Sequence, residues 1–81
     1  MLKIKVCGLT RAADVEAAVA AGVDLIGFNL ACGPRRIGLP RAIALARRVP
    51  PGVAVVALFV DAVESEILAA ASALRCCTVQ L

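Results

Sequence analysis

Val53-Ala54-Val55-Val56-Ala57-Leu58-Phe59-Val60 is an unbroken run of eight apolar residues in an 81-residue chain. The run is rich in Val, and continuous apolarity without alternation is what a strand buried on both faces needs. It falls far short of the roughly 20 residues that span a bilayer. A strand of this kind belongs in a parallel sheet covered by helices, so its neighbours decide how the rest is read.

Working outward, two further strand signals precede it and one follows. Asp24 to Phe28 (DLIGF) is short, apolar and bounded by turn residues. Lys3 to Cys7 (KIKVC) alternates polar and apolar, and Cys77 to Leu81 (CTVQL) closes the chain. Helical patterns lie between them. Thr10 is positioned to cap a helix through Val15, Ala18 and Val19 that stops at Gly22. A second helix starts at Pro40 and ends before Pro50-Pro51-Gly52. Asp61 with Glu64 resembles a capping box and opens a third helix with Ile67, Leu68, Ala71 and Leu74 on one face.

The resulting order, β-α-β-α-β-α-β, predicts an α/β fold of parallel strands with helices outside. Strand starts near 3, 24, 53 and 77 set a repeat of about 25 residues, which suits an open doubly wound sheet or an eight-fold barrel. A dinucleotide-binding sheet wants a glycine-rich first turn. Here that turn reads Cys7-Gly8-Leu9-Thr10, with one glycine. The barrel is therefore favoured, and the chain is expected to be a partial (β/α)8 TIM barrel: residues 1–81 as the N-terminal part of a single domain, with an open strand edge at Leu81.

Composition narrows the function classes. Apolar residues are 62% of the chain and mean hydropathy is +0.93, which excludes a disordered segment. Aromatics are 2%, so base-stacking platforms are lacking, and a net charge of +3 is no nucleic-acid footprint. Most of the arginines read as solvated helix faces. The start of the chain has no apolar core of a signal peptide. The four cysteines, with no C-x-x-C spacing and no His, read as thiols in a reducing, cytoplasmic setting; no metal is expected. Cys76 and Cys77 are read as packing residues.

In such folds function collects at the C-terminal ends of strands. Alternation puts Lys3, Lys5 and Cys7 on one face and Ile4 and Val6 on the helix-facing side. An inward Lys5 beside Cys7 favours the thiolate and makes the sulfur a candidate base; the bland alternative is a buried Cys ending a strand. Asn29 to Leu39 (NLACGPRRIGL) is irregular and carries Arg35-Arg36 at the same end. There a guanidinium fork suits a carboxylate or phosphate, and a solvent-facing basic turn is the alternative.

At these residues the sequence resembles the phosphoribosylanthranilate isomerases. The resemblance runs through Lys5-Val6-Cys7-Gly8-Leu9-Thr10-Arg11, Gly22 to Asn29, Pro34-Arg35-Arg36, Leu58-Phe59-Val60-Asp61 and Val79-Gln80-Leu81, in order and spacing. It covers about the first two-fifths of such an enzyme. It implies a (β/α)8 barrel that converts N-(5-phosphoribosyl)anthranilate, a small phosphosugar, to its aminoketose by an Amadori rearrangement in tryptophan biosynthesis, without a cofactor. It implies Cys7 as general base, supported by Lys5, and Arg36 as the residue that meets the anthranilate carboxylate. Arg35, Gly8 and Gln80 join it as substrate-contacting positions.

Two departures accompany the resemblance. The family's general acid, an Asp on a later strand, has no counterpart, so the 81 residues alone are expected to be inactive. The loop also differs, with Leu30, Cys32 and Pro34 where the family usually has an aromatic, Pro and Ser. Two other readings stand beside the isomerase. One is a non-catalytic half-barrel that docks with itself or a partner through the open edge. The other is a flavodoxin-like anion-binding sheet, which requires strand one to lie between other strands.

Overall fold

A computed structural model of the chain describes residues 2–60, 62–75 and 78–80, the last three by backbone alone. The expected roles of Asp61 as a cap and of Cys76 and Cys77 as packing residues, together with the open edge at Leu81, lie outside the described residues. The elements are β1 (Lys5–Cys7), α1 (Ala12–Ala20), β2 (Leu25–Asn29), α2 (Leu39–Ala46), β3 (Ala54–Leu58), α3 (Glu64–Leu74) and β4 (Thr78–Gln80). The order β-α-β-α-β-α-β is as the sequence predicts.

All four strands are parallel and lie in the order β1-β2-β3-β4. β1 has β2 as its neighbour and sits at the edge. A flavodoxin-like sheet would place it inside, so that reading is overturned. The three helices contribute their buried residues to one core cluster, which places them on the same face of the sheet.

Register sorts the side chains. Val6 pairs with Ile26 and Ile26 with Val55, while Phe28 pairs with Ala57. Residues paired across parallel strands point to the same side. This set, with Val15, Ala42, Leu45, Phe59, Ala70 and Leu74, builds the core between sheet and helices. Phe28 and Ile26 are fully buried in it. The other side carries Lys5-Leu25-Ala54, Cys7-Gly27-Val56 and Asn29-Leu58. Among the described residues the helices pack on the other side; here Val56 is buried in the middle, and Leu25 and Leu58 remain half-buried.

Local differences from the sequence reading have physical causes. The start of α1 is not capped by Thr10; Arg11 occupies the N-cap in extended backbone with no side-chain cap. Arg11 instead turns its Nε to Asp14 Oδ2 at 3.1 Å. The C-terminus of α1 behaves as expected. Gly22 takes φ +85°, and the amides of Gly22 and Val23 return to the carbonyls of Val19 and Ala18, a Schellman closure.

β1 is shorter than Lys3–Cys7 because an edge strand has one partner. Ile4, expected under the helices, precedes the strand and is 56% exposed. Its amide donates to Asp24 Oδ2 at 2.7 Å and its carbonyl accepts from the amides of Asp24 and Leu25. On α3 the buried stripe is Ile67, Ala70 and Leu74, and Leu68 is 61% exposed. One residue is about 100° of helical rotation, which carries Leu68 off the stripe.

These placements separate two apolar truncations. Phe28→Ala is expected to destabilise the chain by about 3–5 kcal/mol, as removal of a fully buried ring does. Leu68→Ala is expected to stay within about 0.5 kcal/mol of the parent. Urea midpoints at constant slope measure both, and equal costs would contradict the core as placed.

Candidate active site

β1 ends at Cys7 and the chain turns at Gly8, whose φ of +80° is open to glycine and costly for other residues. The Gly8 amide donates to the Gly27 carbonyl at 3.0 Å, which pins the turn to β2. Cys7 itself is exposed on the face opposite the helices.

Gly27 explains how the sulfur sits there. A methyl built on Gly27 would lie 2.5 Å from Cys7 Sγ and 3.5 Å from Lys5 Cε. Thiol and lysine stem therefore converge on one point above a residue without a side chain. The sequence places Lys5 and Cys7 on a common face, and the structure brings them together. It does not disclose in advance that Gly27 makes the room, although a glycine inside an apolar strand is a standing signal of close approach.

The β2–α2 loop reaches the same end of the sheet. Asn29, the last residue of β2, organises it. Its Oδ1 accepts from the Ala31 amide at 2.9 Å and its Nδ2 donates to the Cys32 carbonyl at 2.8 Å. Gly33 turns the chain at φ +92°, the Arg36 amide returns to its carbonyl, and the Ile37 amide bonds to the Asn29 carbonyl. An isolated bridge between Asn29 and Arg36 closes the loop. In the sequence Asn29 stands only as the first residue of the irregular stretch, and no local pattern marks it for this role.

The two arginines part company. Arg35 lies against Gly8: a methyl there would meet Arg35 Cδ at 2.8 Å and Nη1 at 3.5 Å. Arg36 lines a cleft of about 340 Å³ with Leu30, Ile37, Phe59, Glu66 and Ala70. Gln80 pairs with Leu58 at the end of β4, on the same rim; its side chain lies outside the described residues. Among the described residues, no group of three or more His, Cys, Asp or Glu could hold a metal ion. What the rim offers chemically is an accessible thiol with cationic side chains around it, suited to proton transfer on an anionic substrate.

Sequential parallel strands with helices stacked on one side are the architecture of a partial (β/α)8 barrel, a fold in which chemistry gathers at the C-terminal ends of the strands. No family model matches the chain. Over 73 residues it is 55% identical to the N-(5'-phosphoribosyl)anthranilate isomerase of Methylibium petroleiphilum, covering 89% of this chain and 34% of that protein. The crystal structure of phosphoribosylanthranilate isomerase from Thermotoga maritima superposes with a TM-score of 0.94 at 33% identity, covering 100% of this chain and 40% of that one. A phosphoribosylanthranilate isomerase in complex with reduced 1-(o-carboxyphenylamino)-1-deoxyribulose 5-phosphate gives 0.95 at 33% identity, over 100% and 42%. The chain is similar to phosphoribosylanthranilate isomerases over most of its own length and spans between 34% and 42% of the length of these relatives.

The contact over Gly27 yields a stability cycle. Gly27→Ala is expected to cost about 1–3 kcal/mol, because the new methyl overlaps Cys7 Sγ. In a Cys7→Ala background the cost should shrink, since Cys7 Cβ stands 3.5 Å away, at ordinary contact. Urea unfolding of the four proteins measures the coupling. Strict additivity would mean that the sulfur does not lie over Gly27.

Proposed function

We propose that residues 1–81 form the N-terminal part of one (β/α)8-barrel domain that isomerises N-(5-phosphoribosyl)anthranilate in tryptophan biosynthesis. The observation that carries this reading is the exposed Cys7 thiol over Gly27, with Lys5 converging on it and Arg35 against the next residue. The neighbour bound to reduced 1-(o-carboxyphenylamino)-1-deoxyribulose 5-phosphate supports the substrate class. That ligand carries a carboxylate and a phosphate, and this rim is cationic.

In the proposed reaction a general acid protonates the ribose ring oxygen and the ring opens to a protonated imine. The Cys7 thiolate then takes the proton from C2, and the C2–H electron pair moves to form the enolamine. Tautomerisation places hydrogen at C1 and leaves the ketone at C2, with no net change of oxidation state and no cofactor. Arg36 receives the anthranilate carboxylate as a charge-assisted fork. Gly8 is a substrate-contacting position at the turn after Cys7, Lys5 supports the base, and Gln80 forms pocket wall. The acid belongs to a later strand, beyond the part of the relatives that these residues match, so the chain alone is expected to be inactive. A phosphosugar as substrate fits a cytoplasmic enzyme that engages neither nucleic acid nor membrane. Among the described residues no helix is long and apolar enough to cross a membrane.

Joining residues 1–81 to the remaining part of the Methylibium petroleiphilum relative gives a complete barrel for the test. That chimera should turn over. Cys7→Ser should lower kcat by about 10²–10⁴-fold, the range for a general base, with KM little changed. Arg36→Ala should raise KM about tenfold or more, as expected for loss of a charge-assisted hydrogen bond. An undiminished kcat in the serine variant would remove Cys7 from the chemistry.

A second reading, self-association of a half-barrel, is favoured by one observation: the sheet face opposite the helices leaves Leu25 and Leu58 half-buried. On this reading the 81-residue chain sediments as a dimer or larger. A folded monomer in sedimentation velocity would discard it.

A further inference from the structure

We infer that Arg35 is a positioning residue for Cys7, one that pins the β2–α2 loop onto the Cys7–Gly8 turn and holds a cation beside the thiol. The inference rests on the proposed role of Cys7. Two pieces of backbone and one side chain meet at Gly8. Its own turn follows β1 directly, its amide is bonded to Gly27 of β2, and its Cα face is covered by the Arg35 side chain. The cover is close: Arg35 Cδ stands 2.8 Å from where a Cβ would be, and Nη1 3.5 Å. The φ of +80° and the missing Cβ are thus both used, the first to make the turn and the second to admit the arginine.

The contact fixes where the charge lies. Nη1 is held against the residue that follows the thiol, and among the described residues no carboxylate pairs with Arg35. Arg36, next in sequence, lines a cleft that contains Glu66. Of the two loop arginines, Arg35 is therefore the one in contact with the turn that carries the thiol. An anionic group arriving at Cys7, carboxylate or phosphate, meets this guanidinium, and the loop cannot shift without disturbing the turn.

Paired alkylation reads the cation without any turnover assay. In both reactions the thiolate sulfur attacks the methylene carbon, a C–S bond forms and iodide leaves. Iodoacetate is an anion and iodoacetamide is neutral, so their rate ratio at Cys7 reports local positive charge and cancels the amount of thiolate. Peptide-resolved mass spectrometry separates Cys7 from the other three cysteines. Arg35→Ala and Arg35→Gln should each lower the ratio roughly fivefold, the effect of one nearby charge screened by water. Arg35→Lys should restore most of it. Arg47→Ala, which removes the same net charge elsewhere, should leave the ratio as in the parent. Lys5 is present throughout, so the change isolates Arg35. An unchanged ratio in both Arg35→Ala and Arg35→Gln, or an equal fall in Arg47→Ala, would overturn the inference. An inactive chimera would count against the isomerase reading and leave this ratio unaffected.

Discussion

The pairing of Cys7 with Gly27 in adjacent parallel strands is the constraint on which the candidate site depends. Parallel register puts the two residues side by side with their substituents on the same face. Had the second position carried any side chain, its first carbon would occupy the space of the sulfur. Strand β2 therefore contributes to the site by omission. The same omission admits the stem of Lys5, so the lysine and the thiol converge on one point above Gly27. The Gly27 carbonyl serves again, accepting the Gly8 amide and fixing the turn through which the chain leaves the site.

That pairing also separates stability from chemistry within each strand. Odd positions of β1 and their partners face away from the helices, and even positions enter the core under them. The Val6-Ile26-Val55 row can then be as apolar as packing demands while Lys5 and Cys7 stay polar and accessible. The two ends of the sheet divide similarly. At the start of the strands Asp24 bonds the Ile4 amide and ties the edge strand to its neighbour. At their far end Asn29 spends both polar atoms of its side chain on loop backbone. One acidic and one amide side chain, five residues apart on the same segment, do structural work at opposite ends and leave the rim free for cations.

Periodicity made most of the fold legible. The apolar run at 53–60 and its shorter companions could only be strands buried in a parallel sheet, and the Gly22 and Pro50-Pro51-Gly52 breaks set the helix ends. Lys5 and Cys7 were legible as a facing pair because alternation along a strand is purely local. What was not legible depends on contacts between distant residues. Thr10 satisfies every local rule for a cap, yet its carbonyl is held by Arg41 from α2 and the helix opens beyond it. Leu68 is as apolar as Ile67, and the choice between them is made by where β3 and α2 lie. The loop arginines pose the same difficulty in sharper form. Adjacent and chemically identical, they are told apart by which one finds a glycine to cover.

This last distinction bears on how a loop of altered composition can still serve the rim. Leu30, Cys32 and Pro34 stand where the resemblance leads one to expect other residues, but the loop is shaped by backbone and by Asn29. Its contacts run from Asn29 to Ala31 and Cys32, from Gly33 to Arg36, and from Asn29 to Ile37. None of these uses the side chain of residue 30, 32 or 34. Those hydrogen bonds do not depend on the side chains at these positions, although Leu30 also packs against the core. Variation at residues 30, 32 and 34 thereby spares the hydrogen bonds that shape the loop, and the contact of Arg35 with Gly8 does not depend on it.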